Sequence, residues 1–594
     1  MLNRRTALGL LAAVPATPAL AIAESASARF AALIARAAAD DAALSPTGPP
    51  GQRRPAGEPA FIDPLSDEWA AATLANKRRA AAELAGIDRN ALATAERIAH
   101  DVFARSLNQA ISFHGSGLFA IQRQLALNPS FGLHIEMPDF VAGSGALFET
   151  GADYQIGLER LRLFAGHMDM TLVRLREGLA AGHVQPRVLV EKVINQVEAL
   201  LAQPVDDTAF MSAIRRLPPT LASDRARWAT DYRAMVGETV LPAYRRWLVF
   251  LRETYLPRTP AGPGRAAIPD GLRLYTAELE RHTTLPMAAA DIHALGLGEV
   301  GRIRAEFEKT RAELGFAGDL KALFEHVRTS PQFYCKTQEE LIGRFTEIES
   351  RIWPAIPRLF HCRPKAPFKV APLPALGDQR GTGYYRAGPP DGVSPGILFF
   401  NMAMLDTRPI PTLETLTLHE GIPGHHFQVT LVNEDPVLPA FLKRGGSTAY
   451  TEGWGLYAES LGRELGMFTD PWAWFGHLDM EMLRAVRLVV DTGLHALGWS
   501  RDRAIGYMLD NTSMAPRDVA VEIDRYIAQP GQACAYKIGE LSFARLRREA
   551  QAALGGKFDV RDFHEVCLNT GALPLAVLDA KVKDWIARGG GRQS

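Results

Sequence analysis

Apolar residues recur at spacings of three and four along most of this chain, and that period is typical of amphipathic helices. The segment 154–176, YQIGLERLRLFAGHMDMTLVRLR, is a clear example. The helical pattern covers 67–255, resumes at Leu272, runs to about Phe360, and dominates again from Leu413. We therefore predict a mainly α fold.

Three stretches interrupt this period. Residues 45–65 are rich in Pro, Gly and Arg, and predict an exposed irregular segment. Residues 256–269 contain four prolines and two glycines, which favours a boundary there. Residues 368–400 contain many Pro and Gly and the β-type run Ile397–Phe400, which predicts a small β-sheet beside the helices.

The length of 594 residues exceeds what one compact core usually holds. We predict an irregular N-terminal segment at 24–66, a helical subdomain at 67–255 and a second helical subdomain at 270–594 that carries the candidate chemistry. The sequence gives no indication of an oligomeric state.

Residues 1–23 have the pattern of an export signal. Arg4 and Arg5 precede an apolar run from Ala7 to Ala21, and small residues follow at the expected cleavage site. The arginine pair resembles a twin-arginine signal, although the apolar run also suits the general export route. We expect a periplasmic or secreted protein without a membrane span after signal removal, since no other apolar run is long enough.

The composition narrows the function classes. Lys plus Arg equal Asp plus Glu at 66 each, so no basic excess favours nucleic acid or an acidic membrane as partner. The four cysteines, Cys335, Cys362, Cys534 and Cys567, form no C-x-x-C pair, which argues against a cysteine zinc site. At most one disulfide is expected among them.

The segment HEGIPGHH at 419–426 is the strongest candidate for chemistry. In the common His-Glu-x-x-His motif, two histidines one helical turn apart bind zinc and the glutamate is the general base. Here Pro423 stands where the second histidine would be. Proline and two flanking glycines disturb a helix, and a bulge of two residues would bring His425 to the position of the missing ligand.

We therefore predict His419 and His425 as metal ligands and Glu420 as general base. His426 is the alternative second ligand, or a group behind the ligands. A structural role for these residues at a helix–loop junction is the competing interpretation. The apolar residues before His419 argue against it, because they place the polar pair inward, where unpaired polar groups are costly.

A glutamate from the helix that follows is expected to complete the ligand set. Glu452 and Glu459 lie seven residues apart in AYTEGWGLYAESL, and so share one helix face. Glu452 is the predicted third ligand, leaving one position for water, and Glu459 is predicted to orient a ligand histidine. A solvated helix face is the alternative interpretation for Glu452.

The stretches HEGIPGHHFQ and TEGWGLYAE resemble a bacterial family known as domain-of-unknown-function family 885. The resemblance extends to GYYRAGPPDGVSPGILFFNM, DTGLHALGWS, RYIAQPGQACAYKIG and FHEVCLNTGALPLAVL, and covers roughly residues 60 to 590. The family is similar to gluzincin-type metallopeptidases. The resemblance implies a zinc-dependent hydrolase that acts on peptides or related amides.

Further candidates lie outside the motif. His495, four residues after Asp491 on one helix face, could steady the oxyanion or act as an extra ligand, with a structural Asp–His pair as the alternative. Tyr536 is a second candidate oxyanion donor, and Arg525 a candidate for binding a substrate carboxylate. A structural role is the alternative interpretation for both Tyr536 and Arg525.

Tyr384, together with Tyr385, is expected to line the substrate cleft. The predicted mechanism is hydrolysis in which zinc polarises the scissile carbonyl and Glu420 moves the proton of the attacking water. Alternatives are hydrolysis of a non-peptide amide, lactam or ester, and an exported metal carrier or peptide receptor without turnover.

Overall fold

The structure, a computed structural model, describes residues 25–55, 57–373, 383–444 and 446–592. The predicted export signal lies outside these residues. The mainly α prediction is confirmed, since the described chain is helical apart from a single three-stranded sheet and connecting segments.

In the described part of the chain, ten α-helices precede the predicted boundary at 256–269. They are α1 (Ala26–Ala43), α2 (Asp67–Ala85), α3 (Thr94–Gly115), α4 (Leu118–Gln124), α5 (Leu133–Asp139), α6 (Gly151–Ala181), α7 (Arg187–Leu201), α8 (Ser212–Arg215), α9 (Arg225–Met235) and α10 (Leu241–Phe250). The longest, α6, begins where Thr150 and Asp153 form a reciprocal cap and ends at Gly182 in the left-handed region.

The second part of the chain contains the sheet and the remaining helices. The helices are α11 (Gly271–Thr283), α12 (Ala289–Glu313), α13 (Leu320–Thr329), α14 (Gln338–Ile352), α15 (Leu413–Leu416), α16 (His425–Glu434), α17 (Ala440–Arg444), α18 (Thr448–Ser460), α19 (Pro471–His495), α20 (Arg501–Leu509), α21 (Pro516–Ala528), α22 (Ala535–Leu554), α23 (Val560–Leu568) and α24 (Leu575–Ala587). The strands are β1 (Phe368–Pro372), β2 (Gly383–Arg386) and β3 (Gly396–Phe400).

The small sheet lies where the sequence predicted it, beside the His-Glu segment. Strand β3 is central, with β1 parallel on one side and β2 antiparallel on the other. Phe368 of β1 packs against His426, with ring centroids 5.4 Å apart. The sheet thus covers one side of the segment that contains the predicted ligands.

The buried apolar residues form separate clusters. One draws its members from Phe61 and from 127–255, and surrounds α6. A larger one extends from Tyr275 to Trp585 and surrounds α18 and α22. Helices α1 to α3 contribute to a third cluster, which also contains Leu442 of α17. These three helices therefore pack against the second part of the chain as well.

The structure differs from the irregular segment predicted at 24–66. Residues 26–43 form helix α1, capped by Ser25 and buried through Phe30 and Leu33. Only the Pro- and Gly-rich part that follows lacks regular structure up to α2. The apolar spacing within ASARFAALIARAAADDAA signals the helix, and the neighbouring prolines obscured it.

All four cysteines are free thiols, and three of them are buried. The three buried thiols, Cys335, Cys534 and Cys567, therefore serve as small apolar core residues. Among the described residues, every helix is too short or too polar to cross a membrane.

Candidate metal centre

The His-Glu segment is a helix that breaks and starts again. Helix α15 continues into a π-type turn at Thr417–Gly421, and the backbone becomes extended at Ile422. Helix α16 then begins at His425. The predicted bulge is therefore wrong in form, because the chain leaves one helix and enters another.

Two contacts hold this break in place. A Cβ on Gly424 would lie 1.8 Å from the carbonyl oxygen of His419, so only glycine allows the chain to fold back so closely. The indole Nε1 of Trp454 donates a hydrogen bond to the carbonyl of Pro423 at 2.8 Å. The loop between the two histidines is thus anchored to α18.

The break brings the three predicted ligands together. The Nε2 atoms of His419 and His425 lie 3.6 and 3.3 Å from Oε2 of Glu452. Glu420 joins the two histidines in a group whose potential ligand atoms all lie within 4.8 Å of one another. Two imidazoles and a carboxylate therefore converge, with a second carboxylate beside them.

Glu459 orients His419 as predicted. Its Oε1 accepts a hydrogen bond from His419 Nδ1 at 2.7 Å and lies 3.2 Å from Nη2 of Arg484. With Nδ1 carrying the proton, Nε2 is directed at Glu452. Burial lowers the pKa of His419, but hydrogen bonds with Glu452 and Glu459 outweigh it and raise that pKa to about 9.

Glycines on α18 create the space for this arrangement. A Cβ on Gly455 would lie 2.6 to 3.0 Å from three atoms of the His419 imidazole. Gly453 faces Gly539 of α22, and a Cβ on Gly453 would lie 2.4 Å from the Cα of Gly539. Helices α18 and α22 therefore touch backbone to backbone next to Glu452.

His426 is excluded as a ligand in this geometry. Its Nε2 donates to the carbonyl of Ala366 at 3.1 Å, and its Nδ1 accepts from the Tyr385 hydroxyl at 3.0 Å. Burial lowers its pKa to about 4, so the ring is neutral. This geometry therefore favours His425, whose Nε2 faces Glu452, as the candidate second ligand.

The site opens into a cavity of about 1540 Å³. One wall is α19, another comprises α21 and the start of α22, and α7 of the first subdomain forms part of the rim. The three predicted substrate-facing residues, Tyr384, Arg525 and Tyr536, all line it, as does Tyr385. The cavity is large enough for an extended ligand several residues long, since drug-sized ligands occupy roughly 300–1,000 Å³.

Tyr536 and Arg525 differ in how free their polar groups are. Among the described residues, the hydroxyl of Tyr536 accepts one long hydrogen bond, from Nε2 of Gln532 at 3.5 Å. Burial, followed by the charge of Glu452, raises the pKa of this hydroxyl. Arg525 already donates to Glu522 at 2.8 Å and to Gln532 at 2.7 Å. Tyr536 is therefore available to a ligand, whereas Arg525 is largely occupied within the protein.

The prediction that His495 acts at the site is wrong in this structure. Its Nε2 donates to the carbonyl of Tyr526 at 3.1 Å, and its Nδ1 accepts from the backbone N–H of Arg265 at 3.2 Å. Asp491 instead accepts from the Tyr275 hydroxyl at 2.5 Å. His495 is a buried structural group away from the cavity wall, and burial lowers its pKa to about 3.

Two arginines of the site were missed by sequence reasoning. Arg484 and Arg487 lie on the cavity face of α19 and are only 4% and 7% exposed. The sequence does indicate them, because both arginines interrupt the apolar run MLRAVRLVV, which predicts a buried helix face. Arginine is rarely buried unless it is paired or functional.

Comparison with solved structures gives relatives of the same fold. The crystal structure of a candidate lipoprotein from Colwellia psychrerythraea is 28% identical, with a TM-score of 0.82 over 95% of this chain and 100% of that one. A candidate lipoprotein of unknown function from Shewanella oneidensis is 17% identical, with a TM-score of 0.70 over 94% and 99% of the two chains. The latter likeness shows the fold alone.

Sequence comparison gives one further finding. The model of the family described as "Bacterial protein of unknown function (DUF885)" matches residues 55–582. No curated protein matches the chain.

Proposed function

We propose that this chain, which belongs to the DUF885 family of bacterial proteins, is a zinc-dependent hydrolase that cleaves peptide bonds or related amides. The observation that carries the proposal is the convergence of His419, His425 and Glu452 with Glu420 beside them. This is the donor set of the gluzincin-type peptidases, to which the family's motif is similar.

The donor chemistry fits zinc. Two imidazoles, which a bound metal requires in the neutral form, and one carboxylate make a three-ligand set that leaves a fourth position open, as in catalytic rather than structural zinc sites. The hydrogen bond from His419 to buried Glu459 supports the fit, because it fixes the tautomer that presents Nε2. When bound, zinc would supply Lewis-acid polarisation of the scissile carbonyl and a more acidic water.

The roles of the chain's own groups follow from their positions. The Glu420 carboxylate is placed to accept a proton from the attacking water and to return it to the leaving amine. The Tyr536 hydroxyl faces the cavity near Glu452, and is placed to donate to the oxyanion. Strand β2, with Tyr384 and Tyr385 on the cavity wall, supplies a sheet edge for an extended backbone.

The test is Glu420→Gln. We expect the variant to bind one zinc as wild type does and to lose about 10²–10⁴-fold in turnover, because a general base is removed without removing a ligand. Zinc content by elemental mass spectrometry and hydrolysis of peptide mixtures by mass spectrometry are the readouts. Glu339→Gln, at an exposed position of α14, is the control and should change neither.

Full activity in Glu420→Gln would overturn the mechanism. Zinc binding by the wild type without hydrolysis of any peptide or amide would overturn the assignment as an enzyme, and would leave a metal carrier or peptide receptor.

An exported location is part of the proposal. The candidate lipoproteins of similar fold and the signal-like residues 1–23 support it. For the route we propose twin-arginine export through Arg4 and Arg5. Cell fractionation of a variant with both arginines changed to lysine tests this, and unchanged export would refute that route.

A further inference from the structure

Arg487 carries a buried donor that nothing in the described part of the chain satisfies. Its Nε donates to the Tyr526 hydroxyl at 2.7 Å, and its Nη2 donates to Glu522 at 3.0 Å. Its Nη1 is buried and has no hydrogen-bond partner among the described residues. Because an unsatisfied buried donor is costly, a polar ligand at this point of the cavity wall would relieve that cost.

The charges around Arg487 indicate the sign of that ligand. Glu522 is the carboxylate that pairs with Arg487, and it is shared with Arg525, which donates to it as well. Two guanidinium groups thus face one carboxylate, and one positive charge remains uncompensated. A buried cation without a counter-charge is unfavourable, so this part of the cavity wall favours an anionic ligand.

The other cations on the cavity wall are already paired. They are Lys192 with Asp524, Arg408 with Asp518, and Arg484 with Glu459. Asp524 is shared with Arg501, but Lys192 is 40% exposed and therefore solvated. Arg484 also has a buried donor without a partner, Nε, but Glu459 compensates its charge. The uncompensated charge of Arg487 with its free Nη1 fits a monoanion such as a carboxylate, whereas a phosphate is usually bound by several donors.

The position of Arg487 relates the anion to the metal centre. Its Cζ lies over the ring of Tyr536, 4.3 Å from the centroid. Tyr536 in turn lies next to Glu452, and all three residues line the same cavity. Tyr536 is thus a common neighbour of the Arg487 guanidinium and of the predicted ligand Glu452. An extended chain covers about 3.5 Å per residue, so one or two residues span a separation of about one side chain.

We propose that Arg487 binds the free C-terminal carboxylate of the substrate, so that the protein removes the last one or two residues of a peptide. This inference rests on the proposed hydrolase function. In the reaction, water oxygen bonds to the scissile carbonyl carbon and the C–N bond breaks. The leaving nitrogen takes the proton held by Glu420, and the products are a shortened peptide with a new carboxylate and a released amino acid or dipeptide.

The test compares two pools of randomised pentapeptides with the zinc-loaded wild type, one pool with free C-termini and one with C-terminal amides. We expect the free acids to be cleaved at least tenfold faster, since a charge-assisted hydrogen bond is lost in the amides. Mass spectrometry should show loss of one or two residues from the C-terminus. Equal cleavage of both pools would overturn the proposal.

Substitutions of Arg487 distinguish a loss of carboxylate binding from a general loss of folded protein. Arg487→Met should raise KM for the free acids about tenfold or more with little change in kcat, and bring the acid-to-amide ratio near one. Arg487→Lys keeps a cation and should restore part of the preference for acids. Lys192→Met, whose ammonium is already paired with Asp524, is the control and should leave the ratio unchanged. A ratio in Arg487→Met equal to that of wild type would overturn the assignment.

A peptide-binding measurement distinguishes failure of the proposed hydrolase function from failure of the proposed carboxylate site. Zinc-loaded Glu420→Gln is mixed with each pool, and the peptides retained on ultrafiltration are identified. One outcome is that Glu420→Gln retains the free acids over the amides but the wild type hydrolyses neither pool. This result would overturn both the hydrolase function and the release of C-terminal residues, but the carboxylate-binding site would stand. Hydrolysis by wild type without preferential retention or cleavage of acids would overturn the carboxylate site alone. Neither hydrolysis nor retention would overturn both.

Discussion

Glu459→Gln tests whether the hydrogen bond behind His419 contributes to metal binding. The carboxylate is 1% exposed, and its Oε1 accepts from His419 Nδ1 at 2.7 Å. Glutamine has the same shape, and its amide oxygen can still accept that hydrogen bond. The substitution therefore removes the negative charge and leaves the geometry of the imidazole nearly unchanged.

The expected loss of zinc affinity in Glu459→Gln follows from the strength of this hydrogen bond. A hydrogen bond to a charged group contributes about 1.5–3 kcal/mol and one between neutral groups about 0.5–1.5 kcal/mol, so changing the acceptor from carboxylate to amide loses about 1–1.5 kcal/mol. At about 1.4 kcal/mol per factor of ten, zinc binding weakens about tenfold, at the lower end of the range usual for groups that orient a metal-bound histidine. The charge of Arg484, 3.2 Å from Glu459, also loses its partner, so the variant is expected to be less stable.

Zinc affinity is measured by competition with a chromogenic chelator, at a temperature where circular dichroism shows the variant to be folded. Glu464→Gln is the matched control, because it removes an exposed ion pair with Arg547 outside the site. Its zinc affinity should equal that of wild type. A folded Glu459→Gln with unchanged zinc affinity would refute the role given to this hydrogen bond.

Two further predictions concern a glycine and a buried histidine. Gly455→Ala should weaken zinc binding at least tenfold and destabilise the fold by about 1–3 kcal/mol, because its Cβ would overlap the His419 ring. The control Gly343→Ala, whose Cβ meets open space inside helix α14, should leave zinc binding unchanged and raise stability by about 0.5–1 kcal/mol through helix propensity. For His495, burial holds the folded pKa at about 3, below the ordinary 6.5, so the unfolded chain binds the proton first and stability falls as pH drops below 6.5. His495→Gln should remove about 3 kcal/mol of the stability loss between about pH 7.5 and pH 4.5 in urea unfolding. An unchanged pH slope, or loss of turnover in this variant at neutral pH, would contradict the structural role.

Much of the site could be predicted from local spacing. The fold-back at Pro423 and Gly424 brings His425 to His419, and the seven-residue interval between Glu452 and Glu459 places one at the imidazole pair and the other behind it. These are relations within one or two helices, and the period of the helix determines them. The form of the break, a π-type turn and a restart, could not be derived, because it depends on contacts from α18.

The errors and omissions concern contacts between distant segments. Asp491 and His495 have the right spacing for a pair, but they do not bind each other. Asp491 accepts a hydrogen bond from Tyr275, and His495 donates one to the backbone carbonyl of Tyr526. Likewise, no local rule shows that Arg487 faces the cavity. Its orientation is set by the packing of α19 against helices far away in the sequence, and only the chemistry of a buried arginine signals that it needs a partner.

The backbone contact between Gly453 and Gly539 bears on the order in which the protein is made. His419, His425 and Glu452 leave the ribosome well before Gly539, yet the helix that holds Glu452 is positioned against the helix that contains Gly539. A nascent chain that ends before α22 has all three ligands but lacks the surface that holds one of them in place. The proposed metal site would therefore be completed late in synthesis, and a truncated product would lack it.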